Sequence, residues 1–115
     1  MSEISELTEK IMRFVKERDW DQFENPKDLA ISIALEAGEI LEHFQWKSKE
    51  EIEEYVKTHK DELSEEIADV LIYLLDFSHR LEIDVIDASH KKLAINEKKY
   101  PVEKAKGKNL KYDKL

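Results

Sequence analysis

The 115-residue sequence has no cysteine, only two glycines and only two prolines. Without cysteine there can be no disulfide and no thiolate metal ligand, which fits a reducing compartment such as the cytoplasm. Two glycines cannot build a glycine-rich phosphate loop, and no Gly-x-Ser-x-Gly elbow exists for nucleophilic catalysis. Turn chemistry this scarce argues against a sheet protein and for helices joined by short polar loops. Long apolar runs are missing too. The longest, Val70 to Leu75, is far too short to span a bilayer, so no membrane partner is expected. The opening residues Met1 to Glu6 are acidic and lack an apolar core, so no secretory signal is expected. Positive charge is in deficit: a net charge of −8 argues against a nucleic-acid polymer as partner. It does not argue against a nucleotide, which an acidic site can recruit through a divalent metal.

What is present is helical periodicity. Ile4, Leu7, Ile11, Phe14 and Val15 predict a first helix over about Glu3 to Arg18. The connector that follows holds Trp20 and Phe23, read as anchors to the core, with stacking on a ligand as the alternative. Asn25-Pro26-Lys27-Asp28 starts a second helix: Asn25 caps, Pro26 suits the first position, and Asp28 sits where the dipole favours an acid. Leu29, Ile33, Ala37, Ile40 and Phe44 line its buried face as far as about Gln45. Gly38 lies mid-helix, where it costs about 1 kcal/mol relative to alanine, and so points to close approach by another backbone or a ligand. Ser48-Lys49-Glu50-Glu51 reads as a capping box opening a short acidic helix, and Thr58 as the cap of the next element. That core helix, about His59 to Leu81, carries a seam of Leu63, Ile67, Val70, Leu74, Phe77 and Leu81. Leu71, Ile72 and Leu75 make it apolar on further sides, which predicts a homodimer or homotetramer. Asp84 caps a last helix that runs to about Lys99 and is stopped by Pro101. The expected organisation is an all-α, four-helix-bundle-like domain over residues 1–102, with a loosely ordered lysine-rich tail at 103–115.

Two acid pairs carry the candidate chemistry. Glu36/Glu39 and Glu66/Asp69 each sit three residues apart, on one side of a helix. Most of the chain's acids read as solvated surface. These four lie among apolar residues instead, with no lysine or arginine from Asp28 through Gln45 and no basic partner within a helical turn of either pair. Uncompensated buried carboxylates are costly, so a cation is expected between them. Oxygen-only ligands select Mg²⁺, with Mn²⁺ as a substitute, over zinc. Asp76/His79 and Asp87/His90 are weaker candidates for a transition metal. Lys91, Lys92, Lys98 and Lys99 gather near the last helix's end with Asn96 and Tyr100. They read as favourable charge at a helix C-terminus, the alternative being a hand for phosphate oxygens.

The order Glu36-x-x-Glu39, 26 residues, then Glu66-x-x-Asp69 resembles the Mg²⁺ signature of the MazG-like all-α nucleoside triphosphate pyrophosphohydrolases. Within them the dCTP pyrophosphatase branch is most similar. The resemblance is carried by Glu17 to Phe23, Phe44-Gln45-Trp46-Lys47, Asp69 to Leu74, and Ile95 to Pro101. It implies that Glu36, Glu39, Glu66 and Asp69 hold Mg²⁺, and that an activated water attacks the α-phosphorus of a (deoxy)nucleoside triphosphate, dCTP or a modified dNTP. The products would be the monophosphate and pyrophosphate. It further implies Trp20 and Trp46 at the base, Tyr73 near the sugar, and Lys92, Asn96, Lys99 and Tyr100 on phosphates. The chain departs from the family pattern at Leu35, where many relatives carry an acid, at Ile11, where the dCTP branch carries a histidine, and at Lys99, a usual arginine. The rival reading is a non-catalytic helical nucleotide-binding or interaction module.

Overall fold

A computed structural model describes residues 2–115 and is all-α, with no strand among the described residues. The helices are α1 (Glu3–Glu17), α2 (Pro26–Phe44), α3 (Lys49–Thr58), α4 (Lys60–Arg80), α5 (Val85–Lys99) and the single turn α6 (Val102–Ala105). Short 3₁₀ turns occupy Asp21–Phe23 and Tyr112–Lys114. The five long helices lie within one or two residues of their expected ends. Asn25 accepts the Asp28 amide at 2.9 Å, and Ser48 and Glu51 form the reciprocal box expected of them. Thr58 does not cap α4. It is the last residue of α3, and its hydroxyl donates back to the Glu54 and Tyr55 carbonyls. His59 therefore joins the two helices, and α4 starts without a side-chain cap.

Glycine would normally take the left-handed residue that ends a helix. Here Asp19, Trp46 and Glu82 adopt positive φ just past α1, α2 and α4. Each costs roughly 1–2 kcal/mol, a consequence of a chain with two glycines. At Trp46 this backbone turn coincides with an indole that is 91% exposed.

The chain forms two compact units, one ending at Glu82 and one covering Ile83–Leu115. In the first, α4 is the centre: α2 packs along it most extensively, then α1, then α3. Ile11, Val15, Leu29, Leu63 and Leu75 are the buried apolar residues among those described. The expected seam of α4 is only partly inward. Leu63 is buried and Val70 and Phe77 half-buried, but Ile67 is 59% exposed, and Leu74 and Leu81 are also exposed. The inward side instead includes Glu66, Tyr73, Asp76 and Arg80, which fall at the same three-and-four spacing. Polar partners across the packed helices make that arrangement tolerable, as described below. In the second unit, Asp84 caps α5 by accepting the Asp87 amide at 3.0 Å. The tail is more structured than expected: beyond the turn of α6, Tyr112 packs edge-on to Tyr100, and the Lys99 ammonium sits 4.7 Å over the Tyr112 ring.

With so few buried apolar side chains, each one matters. Leu75→Ala should destabilise the protein by about 2–5 kcal/mol in urea unfolding. Leu41→Ala, at a position 70% exposed, should change the stability of the single chain by less than about 0.5 kcal/mol.

Candidate metal centre and adjoining pocket

The two acid pairs meet. α2 supplies Glu36 and Glu39, α4 supplies Glu66 and Asp69, and one oxygen from each lies within 4.8 Å of the others. Glu36 and Glu66 are half-buried, and each keeps one buried oxygen, Oε2, with no hydrogen-bond partner. Burial first, and the neighbouring Glu39 second, raise the Glu36 carboxyl above the ordinary carboxylate range. Glu66 is raised as well, first by Glu39 against it and then by burial. The arrangement suits a hard divalent cation. All donors are carboxylate oxygens, two buried oxygens lack partners, and opposite ligands of an octahedral Mg²⁺ stand about 4.2 Å apart, given metal–oxygen distances of about 2.1 Å.

One helical turn along both helices lies a pocket of ≈ 250 Å³. Trp20, Phe23, Leu29 and Tyr73 give it apolar and aromatic wall, and Glu24, Asp28 and Ser32 give it polar groups. Trp20 is steadied edge-on against Phe14, with ring centroids 5.6 Å apart. Anchoring alone does not describe these aromatics: Trp20 is 44% and Phe23 63% exposed, and both face the pocket. The Tyr73 hydroxyl is pushed up by burial, then by the charges of Glu36, Glu24 and Asp69. Behind the pocket, Arg80 gathers three carboxylates: Asp21 and Asp76 at 2.7 Å and Glu24 at 3.1 Å. Asp76, only 2% exposed, is thereby paired.

Residues 31–115 match the MazG-like family model. The chain belongs to the MazG-like family. It is 38% identical over 104 residues to the dCTP pyrophosphatase 1 of Mus musculus and to that of Homo sapiens, covering 89% of this chain and 61% of each relative. It thus spans about three fifths of the length of those relatives. It is also similar to the crystal structure of a pyrophosphatase from Archaeoglobus fulgidus, with 43% identity and a TM-score of 0.83, covering 88% of this chain and 94% of that one.

In this MazG-like chain a histidine attends the cage. His43 Nε2 lies 3.5 Å from Glu66 Oε1, and His43 Nδ1 is hydrogen-bonded to the Tyr55 hydroxyl from α3. If the Tyr55 hydroxyl donates to Nδ1, the ring proton sits on Nε2 and points at Glu66, an arrangement that orients a metal-ligating carboxylate. Tyr55 is itself held by stacking on His59 at 3.9 Å and by the Lys47 ammonium 4.4 Å over its ring. The expectation that neither acid pair has a basic partner is therefore corrected. The signal was available, since His43 is four residues after Glu39 and shares its helix face.

Other expected residues are placed as follows. Trp46 does not line the pocket that holds Trp20 and Tyr73. Lys92, Asn96 and Tyr100 recur every four residues along α5 and its cap, and with Lys99 they belong to the second unit. The weaker metal pairs dissolve: Asp76 bonds Arg80, and Asp87 bonds Lys91 at 2.8 Å. Leu35 is 65% exposed, and Ile11 is a core residue. Gly38 meets nothing within 4 Å of an added Cβ, so no backbone of this chain makes the close approach expected there.

The cage makes a thermal prediction. Without metal, its raised carboxyls lose stability for the fold as pH climbs from their unfolded values through their folded ones. Mg²⁺ should raise the Tm by several degrees, and more at pH 8 than at pH 5, where protons compete for the same oxygens. His43→Ala should weaken Mg²⁺ affinity by about tenfold or more, read from the Tm against metal concentration.

Proposed function

We propose that this MazG-like chain is a Mg²⁺-dependent nucleotide pyrophosphohydrolase, with Mn²⁺ as a substitute metal. Its substrate would be a (deoxy)nucleoside triphosphate, dCTP or a modified dNTP, cut between the α- and β-phosphates to the monophosphate and pyrophosphate. The observation that carries the reading is the pair of buried, partnerless oxygens on Glu36 and Glu66 within the four-carboxylate cage. The relatives named dCTP pyrophosphatase 1 and pyrophosphatase support the reaction class.

In this reading Glu36, Glu39, Glu66 and Asp69 hold the cation. When bound, it would neutralise triphosphate charge and lower the pKa of a coordinated water. Trp20 offers a face to the base, and Tyr73 stands where the sugar follows. Lys92, Asn96, Lys99 and Tyr100 are the phosphate contacts proposed for the second unit. The cage carboxylates also provide bases for the attacking water. Such chemistry serves housekeeping of the cytoplasmic nucleotide pool.

We further propose four-helix-bundle-like subunits that pair into a homodimer or homotetramer. Ile31, Leu35 and Leu41 on α2 and Ile67, Leu71, Ile72 and Leu74 on α4 are 38–70% exposed. That is more apolar surface than an isolated small domain leaves to water. A second copy would cover it and Trp46, and light scattering should return at least twice the mass of one chain.

A panel of nucleoside triphosphates with Mg²⁺ should release pyrophosphate from at least one. Release of single phosphate would overturn the α-phosphorus assignment, and no release would favour the non-catalytic module. Glu39→Gln and Asp69→Asn should each lower turnover at least about 100-fold. The metal-free Tm should rise in both, because each removes a like charge from the cage. A variant that keeps its activity would mean the cage is misassigned.

A further inference from the structure

Glu24 stands apart from the other acids at the pocket. Asp28 is already engaged: Asn25 Nδ2 donates to its Oδ2 at 2.7 Å. Arg80 has well-formed hydrogen bonds to Asp21 and Asp76, each at 2.7 Å. Glu24 Oε2 lies 3.1 Å from Arg80 Nη2 yet is buried without a hydrogen-bond partner. The side chain is 14% exposed and forms part of the pocket wall beside Trp20, Phe23 and Tyr73. A buried polar group on an aromatic wall is the usual means by which a pocket fixes a flat ligand's orientation.

We propose that Glu24 determines base specificity in this pocket, its carboxyl pairing with the amino-imino edge of a cytosine-type base. This rests on the nucleotide reading above and extends it to one residue. A neutral carboxyl presents a donor and an acceptor side by side. Cytosine presents the complement, N3 as acceptor and the exocyclic amine as donor. Because N3 is basic, the proton between it and the carboxyl is shared, giving a charge-assisted pair. The imide edge of uracil or thymine is acidic, so it shares no proton this way. The ≈ 250 Å³ pocket falls below the range typical of drug-sized ligands, which suits a single-ring base.

The surroundings supply the proton. Glu24 is pushed up to about 7 by burial and by Asp76, against the opposing pull of Arg80. The groups facing it are Tyr73, Asp76 and Arg80 from α4, Asp21 from the connector and Asp28 from α2. Three carboxylates share one guanidinium, so the site holds a proton where a fully ionised cluster would repel itself. Above about pH 7 Glu24 ionises, loses its donor, and should lose discrimination with it.

The test is the affinity ratio of the α,β-imido analogues of dCTP and dUTP with Mg²⁺, by calorimetry from pH 6 to 8.5. Taking the ratio removes the titration of the triphosphate and of the cage, which both ligands share. The wild type should favour the cytosine analogue most below pH 7, and the ratio should fall as pH rises. Glu24→Gln keeps a donor and an acceptor but has no proton to share with N3 and pairs with either edge, so it should lower the preference and flatten the profile. Glu24→Leu should lower the ratio about tenfold or more. A ratio unmoved by Glu24→Leu in a protein of unchanged helicity, or a wild-type ratio independent of pH, would overturn the assignment. If Glu24→Leu fails to fold, the profile of Glu24→Gln decides. Failure of both analogues to bind the wild type would remove the nucleotide reading and this one together. Binding of both with a ratio indifferent to Glu24 would remove this one alone.

Discussion

Negative charge packed on the facing sides of α2 and α4 is the constraint on which the first unit depends. A folded chain can relieve such charge with a basic side chain, a proton or a bound cation. Two neighbouring clusters take different routes. At Arg80, one guanidinium serves Asp21, Asp76 and Glu24, and burial together with Asp76 pushes the Glu24 carboxyl up to about 7, which eases the surplus negative charge. Burial works against the Arg80 charge, but the bonds from Asp21 and Asp76 outweigh it and hold it more firmly protonated. The cage has no arginine or lysine. His43 reaches one oxygen of Glu66, and two other oxygens stay buried without partners. Both clusters keep buried oxygens without hydrogen-bond partners, Glu24 Oε2 in the first and Glu36 Oε2 and Glu66 Oε2 in the second, but only the second lacks a lysine or arginine, which is what suits it to the proposed cation.

The same constraint explains why α4 looks inverted. Its inward side gives positions to Glu66, Tyr73, Asp76 and Arg80, whereas Ile67, Leu71, Ile72 and Leu74 are left exposed. Burying polar groups is tolerable only where they are paired, and here the pairs come from α2, α3 and the connector through Tyr55, His43, Asp21 and Glu24. The apolar residues displaced outward are what gives the proposed self-association its driving force. The proposed site and the proposed assembly would thus follow from one choice of which face of α4 turns inward.

Helices were legible because their signals are local. Asn25, Ser48 and Asp84 cap where their residue types say they should, and Pro101 ends α5. The acid pairs were legible because a carboxylate among apolar residues without a nearby cation is an anomaly visible in one dimension. The Arg80 cluster was not, since it joins residues 59 apart in sequence, Asp21 and Arg80. Nor was the burial of α4, because a helix apolar on several sides does not say which side packs. Thr58 misled because a threonine before an acidic turn caps only if the preceding helix has already ended, and α3 runs one residue further than its composition suggested.

Spacing along the two helices also bears on which phosphate bond the proposed reaction would break. Ser32 on the pocket wall is four residues from Glu36 in the cage, and Asp69 in the cage is four residues from Tyr73 on the wall. Pocket and cage are therefore one helical turn apart on both helices, a rise of about 5.4 Å. A nucleotide whose base occupies the pocket has one sugar between that base and its α-phosphate. One helical turn is roughly the reach of that sugar, so in the proposed reading the cage would meet the α-phosphate before the β or γ. A site built to release single phosphate would need its carboxylates further along the helices, beyond two more phosphate units. The register of Glu36 against Ser32 and of Asp69 against Tyr73 is thus compatible with the proposed cleavage at the α-phosphorus.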